Sequence, residues 1–461
     1  MFKRYIGDRA FIRRIAAVAL PIIIQNAITN FVSLLDNIMV GQTSTVQMSG
    51  VAIVNQLMFI YYLCVFGAMA GAGIFTAQFH GSGDHEGIRR TFRFKLMAGL
   101  LLGIGGIMLF FFADTPLISL YLQSGDDPAA AAETLLHGKD YLRIMLWGLL
   151  PFALNNAYAG TLRETGQTKV PMVAGVTAVL VNLCLNYVFI FGHFGAPAMG
   201  AKGAALATVI SRYVEFAIVA GWTHFNPQRN PFIRGAYRSA YIPLTLLKKI
   251  FIKGMPLLIN EFLFSLGFAI VNQCYSIRSL DVLAATNISS TIYNICSVIY
   301  LSMGNTIGII MGQMMGAGGD KKTVRDAFNK MTFLSVASCG IFAIVLALLS
   351  GAFPMLYNTS DSVRAMATRI ILIQACIMPF HGYIHAVYFA MRSGGKTMIT
   401  FFFDSGYVWI VLVPLAYILS RFTLIPVVIL IAICNIAEAL KCIVGKIMIS
   451  RDTWIQDLTK L

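Results

Sequence analysis

Long apolar stretches dominate this chain, in place of the short alternation of strands or the narrow apolar stripes of water-soluble helices. A helix needs about 20 mostly apolar residues to cross a bilayer. Twelve stretches reach that length: residues 15–36, 50–76, 95–114, 139–161, 170–192, 200–223, 250–272, 284–311, 331–355, 368–391, 398–419 and 425–448. The first is too long for a cleaved leader and is followed by further spans. The pattern predicts an all-α membrane protein of 12 transmembrane helices in two pseudo-symmetric six-helix bundles. An N-terminal lobe covers residues 1–224, a cytoplasmic connecting loop 225–249, and a C-terminal lobe 250–461.

Composition agrees. The 461 residues are 57% hydrophobic and 12% charged, against about 25% charged in a soluble protein. That excludes a water-soluble enzyme and intrinsic disorder. The net charge of +15 suits cytoplasmic loops facing anionic lipid better than nucleic acid. With both termini inside, inner segments hold 27 of the 35 Lys and Arg, outer segments hold seven, and Arg212 sits within a span. This asymmetry predicts an N-in, C-in topology. The eight cysteines are scattered without a CxxC, which speaks against a disulfide framework or a zinc site.

The two halves repeat. At an offset of 235, Pro21 matches Pro256, and Gln78-x-x-Gly81-x-Gly83 matches Gln313-x-x-Gly316-x-Gly318. An Asp follows each glycine motif, as Asp84 and as Asp320 after one extra Gly. Arg163-x-x-Gly166-x-Thr168 matches Arg392-x-x-Gly395-x-Thr397. The plain reading of these motifs is turns and interface anchors at the inner helix ends. Their order shows duplication. Parallel repeats in transporters place the substrate site between halves that rock to give alternating access.

Charged and polar groups inside the spans are costly and few. Asp36 closes span 1 in Phe31-Val-Ser-Leu-Leu-Asp36. Asn182 and Asn186 in span 5 share a helix face at i,i+4, and their amide oxygens suit a hard cation such as Na⁺. Thr208 lies on the small-residue face Gly203-Ala-Ala-Leu-Ala-Thr208. Glu261, about 12 Å into span 7 past Lys253, and Asp404 in span 11 are candidate acids. The pairs Arg212/Glu215 and Glu438/Lys441, each at i,i+3, read as self-compensating. His381 and His385 pair at i,i+4 in span 10, without the carboxylate or cysteine a metal site would add. No Walker loop, GxGxxG or nucleophile elbow is present, so an enzyme or an ATP-driven pump is not supported.

The ordered set of Pro21 through Leu-Leu-Asp36-Asn-Ile-Met-Val-Gly41, Gln78-Phe-His-Gly-Ser-Gly, Leu162-Arg-Glu-Thr-Gly-Gln-Thr-Lys-Val-Pro171, Asn182-x-x-x-Asn186-Tyr-Val-Phe-Ile-Phe-Gly192 and Gly200-Ala-Lys-Gly-Ala-Ala-Leu-Ala-Thr208 resembles the multidrug and toxic compound extrusion (MATE) family. The resemblance implies an efflux antiporter that exports small organic, often cationic, compounds against inward H⁺ or Na⁺. It implies no cofactor, no nucleic-acid partner, a monomer in the lipid bilayer, and a bacterial cytoplasmic membrane. It places Asp36, Asn182, Asn186 and Thr208 in an N-lobe site for ion coupling and substrate, with Na⁺ as a candidate occupant of all four. One branch of the family carries an Asp where Asn186 stands. Another uses a Glu in helix 7 and an Asp in helix 10; here Glu261 lies in helix 7 and His381 stands near the helix-10 position, and with Asp404 of span 11 they make the C-lobe polar groups. The rival readings are a lipid-linked oligosaccharide flippase of the wider superfamily and a non-transporting membrane receptor.

Overall fold

The computed structural model describes residues 7–41, 45–122 and 128–460. Among them twelve long helical segments follow one another: α1 Arg9–Gly41, α2 Thr45–Ser82, α3 His85–Phe112, α4 Pro128–Glu164, α5 Lys169–Phe191, α6 Ala201–Phe225, α7 Leu244–Ser276, α8 Leu280–Gly316, α9 Lys321–Leu349, α10 Asp361–Ser393, α11 Thr397–Phe422 and α12 Val427–Ser450. Eleven are long and apolar enough to cross a membrane. The exception, α4, has the length but spends part of it on Asn155, Asn156 and several small residues. Large apolar side chains such as Phe112, Trp147 and Leu348 are more than 70% exposed, as lipid-facing positions are when no lipid is present.

Two compact units form. One joins Ile24–Thr76 to Asp84–Ile250; the other joins Phe251–Leu461 to Ala77–Gly83 and to the chain up to Ile23. These units do not follow the two sequence halves throughout, because the start of α1 and the C-terminal end of α2 pack with the second half. In that unit Ile15, Val18, Ala19 and Ile22 of α1 share a core with Met303, Ile307, Phe328, Val387 and Trp454. The first unit has its own core around Val54, Met58, Val65, Leu142, Leu149 and Ala205.

The repeat is visible in the backbone. Proline interrupts α1 and α7 at Pro21 and Pro256, and α4 and α10 at Pro151 and Pro379. Each ring removes one helical hydrogen bond. The glycine motifs resolve into three jobs. Gly83 and Gly318 take left-handed φ angles of 75° and 72°, which glycine adopts without strain. Asp84 and Asp320 then cap α3 and α9, accepting from the backbone N–H of Gly87 at 2.9 Å and of Thr323 at 3.3 Å. The Thr323 hydrogen bonds hold the Asp320 carboxyl below the usual carboxylate range. Gly81 and Gly316 mark a close helix crossing. A β-carbon on Gly81 would stand 1.9 Å from the Gln313 carbonyl oxygen, and one on Gly316 would stand 1.9 Å from that of Gln78. Each motif copy therefore presses on the other in the reciprocal way expected of a two-fold relation. The turns at Gly166 and Gly395, with φ of 81° and 73°, complete the set.

The basic connection between the halves is ordered, and α7 begins at Leu244, ahead of the expected boundary at 250. Arg93 of α3 donates to the carbonyls of Ala236 and Gly235 at 2.8 and 2.9 Å. Phe232 is buried against Phe92. Burial also raises the Tyr237 phenol, which hydrogen-bonds Tyr158. Beyond α12 the chain turns back to pack on the C-terminal end of α2. Trp454 is fully buried. Gln78 donates to the carbonyls of Ser393 and Gln456 at 2.9 and 3.0 Å and accepts from the Leu458 N–H at 2.6 Å.

Candidate functional site

The small-residue face of α6 lets α5 approach closely. Ala204, Ala205 and Ala207 are buried, and a β-carbon on Gly203 would stand 2.5 Å from the Phe189 carbonyl oxygen. This approach brings three of the four N-lobe candidates into one chain of hydrogen bonds. Asn186 donates to Asn182 Oδ1 at 3.2 Å, Asn182 donates to Thr208 Oγ1 at 3.3 Å, and Thr208 donates to the Ala204 carbonyl at 2.9 Å. Asn182 and Asn186 are both buried. The fourth candidate, Asp36, belongs to α1, and its side chain lies outside the described residues.

Asn182 and Thr208 open onto a cavity of about 110 Å³. Its wall adds Gln25, Thr29 and Val32 from α1 and Ser211, Arg212 and Glu215 from α6. Arg163 of α4 fixes Gln25, donating to its Oε1 at 3.2 Å. Arg212 Nη1 meets Glu215 at 3.5 Å, so the expected i,i+3 pair forms. Sequence reading missed that the pair lines the cavity. The signal was there, because Thr208, Ser211, Arg212 and Glu215 fall at i, i+3, i+4 and i+7, one face of a helix. On α1, Gln25, Thr29 and Val32 follow the same rule, and the next position of that series in the sequence is Asp36.

The second unit holds a different cluster. Asp404 lies in a π-helical segment, Phe402–Gly406, and a second one, Val408–Leu412, follows. Such wide turns inside helices often mark functional sites. Lys441 of α12 reaches Asp404 Oδ1 at 2.8 Å, and Asn260 of α7 donates to Asp404 Oδ2 at 3.1 Å. The Ser405 N–H in turn donates to Asn260 Oδ1 at 3.1 Å. Lys441 is 1% exposed and is ringed by Phe403, Tyr407 and Phe264.

Lys441 is a buried partner of Asp404, and Glu438 also lies within its electrostatic reach. Of the C-lobe candidates, Asp404 makes the hydrogen bonds of this network. His381 is buried against Tyr300, with ring centroids 5.4 Å apart, and Glu261 makes no hydrogen bond or ion pair among the described residues. Both lie within electrostatic reach of Asp404. Sequence reading left out Ser405 and gave Lys441 only Glu438 as a partner, because spacing along one helix does not report contacts between helices.

The energetics of this pair are testable. Removing one member of a buried ion pair costs about 3–5 kcal/mol, while replacing both is often neutral. Asp404→Asn is expected to lower stability by about that amount. The Asp404→Asn/Lys441→Met double variant should recover most of it. Thermal unfolding of the detergent-purified variants measures this, and additive losses would show that the two side chains do not interact.

Residues 21–188 and 256–418 match the MatE family model, in two segments whose starts are 235 residues apart. The chain belongs to the MatE family. The double match carries the duplication read from Pro21 and Pro256 across both halves. Multidrug resistance protein MdtK of Pectobacterium atrosepticum is 25% identical over 413 residues, spanning 88% of this chain and 87% of that one. Probable multidrug resistance protein NorM of Thermotoga maritima is 23% identical over 427 residues, spanning 92% and 89%. An outward-facing multidrug resistance MATE family transporter of the MOP superfamily has the same fold, with a TM-score of 0.86 over 98% of both chains at 19% identity. This MATE chain is thus a multi-pass, all-α membrane protein of a transporter family, with the twelve-helix fold of that family.

Proposed function

We propose that this MATE protein is a secondary active antiporter in a bacterial cytoplasmic membrane. It exports organic, often cationic, compounds in exchange for inward H⁺ or Na⁺, as a monomer with both termini inside. The observation that carries this reading is the Asn186–Asn182–Thr208 hydrogen-bond chain opening onto a cavity inside one compact unit. A structural pair of asparagines between helices would need no cavity beside it.

In this reading Asp36 is the coupling acid. Its ionised form attracts cargo or ion. Binding of H⁺ or Na⁺ neutralises it, weakens the hold on a cationic compound and biases the proline-interrupted α1 toward the other state. An ion moves that equilibrium only through different affinities for the two states. Amide and hydroxyl oxygens of Asn182, Asn186 and Thr208 are suitable Na⁺ ligands. In this reading the first unit, which holds the cavity, carries the exchange. A flippase for lipid-linked sugars would call for a strongly cationic chamber, and this wall balances one Arg against one Glu.

The test is dye efflux from everted vesicles under an imposed proton gradient and, separately, an imposed Na⁺ gradient. Efflux driven by one of them supports antiport and identifies the ion. Efflux indifferent to both gradients removes the proposal.

A further inference from the structure

We infer that Arg212 is a docking group for a carboxylate, so that this transporter selects amphoteric organic compounds over plain cations. The inference rests on the export reading above and deepens it. Arg212 lies one residue from the middle of the 25-residue α6, the depth at which a charge is most costly in a membrane. A cation kept there faces a task or a close partner.

The partner on the page is a poor one. Glu215 meets Arg212 through Nη1 alone, at 3.5 Å, the outer limit of a hydrogen bond. The other guanidinium N–H groups meet no acceptor among the described residues. Glu215 also has a second cation within electrostatic reach, Arg163. The Arg212 side chain is 33% exposed while that of Glu215 is 11% exposed, and both residues line the cavity.

The guanidinium is also held for the task. Its central carbon sits 4.9 Å from the centroid of the Phe152 ring. A guanidinium offers in-plane N–H groups that match a carboxylate with two parallel hydrogen bonds, and only Nη1 of Arg212 is engaged, by Glu215, among the described residues. The volume of about 110 Å³ is well below the roughly 300–1,000 Å³ of a drug-sized pocket. The cavity therefore admits one end of a ligand. Apolar Val32, Ala178 and Val179 beside the polar wall suit a carboxylate carried on a ring. The cationic end of the same molecule would remain with the proposed coupling acid.

The experiment uses one dye in two charge forms: rhodamine B, a zwitterion with a free carboxylate, and its ethyl ester, a cation. Fluorescence anisotropy gives the dissociation constant of each for the purified full-length protein, and proteoliposomes give gradient-driven export. The wild type is expected to bind rhodamine B more tightly than the ester. Arg212→Gln should reduce that ratio about tenfold, as loss of a charge-assisted hydrogen bond would, and Arg212→Lys should retain part of it. The Arg212→Gln/Glu215→Gln double variant, which removes both members of the pair, should lose the preference equally. A ratio unchanged in Arg212→Gln and in the double variant overturns the inference, as does a wild type that prefers the ester. Export failing under both gradients while the binding ratio behaves as expected would remove the antiport reading and leave the carboxylate assignment standing.

Discussion

Gly316→Ala, and equally Gly81→Ala, is expected to cut the thermal stability of the purified protein by about 3 kcal/mol or more, with a matching fall in folded yield. The reason is geometric. Each new methyl would meet a backbone carbonyl 1.9 Å away, more than an ångström inside ordinary contact. Backbone cannot swing aside as a long side chain can. Overpacking of a core commonly costs 1–3 kcal/mol, and rigid obstacles lie at the upper end. Gly83→Ala is the internal comparison. Nothing lies within 4 Å of its added methyl, so only the strain of a left-handed backbone remains, about 1 kcal/mol. Thermostability measured by size-exclusion chromatography after heating ranks the three variants. Equal losses at positions 81 and 83 would show that the helix crossing is looser than described.

Asp36→Asn is expected to reduce efflux to the level of vesicles without the protein, at normal expression and insertion. Asparagine keeps the shape and hydrogen-bonding capacity of the side chain and permanently imitates its neutralised form. A carrier held in one half of its charge cycle can neither attract the ion nor be reset by it. Its position in the sequence series with Gln25, Thr29 and Val32, three residues that do line the cavity, is what singles it out from the other membrane acids. Drug-resistance growth and vesicle efflux, normalised to immunoblot, measure the effect. Unchanged transport by this variant would remove the role assigned to the acid.

Much of the fold was legible because a bilayer imposes one length scale on every helix, and because duplicated motifs report themselves twice. The twelve expected spans coincide with the twelve helices, and the glycine motifs lie where turns were expected. The reciprocal crossing at Gly81 and Gly316 was not legible, since a turn signal gives no hint of what lies across it. The N-lobe site was legible in part. Asn182 and Asn186 declared themselves by an i,i+4 spacing of polar groups in an apolar run. Arg212 and Glu215 were discounted because a self-compensating pair and a cavity wall have the same spacing. The Asp404–Lys441 pair joins two helices through a locally widened turn. Helical periodicity, which assumes 3.6 residues per turn, cannot foresee a partner presented that way.

The returning tail has a consequence for how the molecule is made. The Leu458 N–H closes on Gln78 across 380 residues of chain, and Trp454 fills a core that also holds Ile15 and Val18. A ribosome delivers the N-terminal end of a chain first. The start of α1 and the C-terminal end of α2 therefore wait, inserted but incompletely packed, until residues 454–458 emerge. The unit built on Asp84–Ile250 has most of its partners to hand long before then. Translation order thus divides assembly of this membrane protein into an early local stage and a late one that needs residues 454–458.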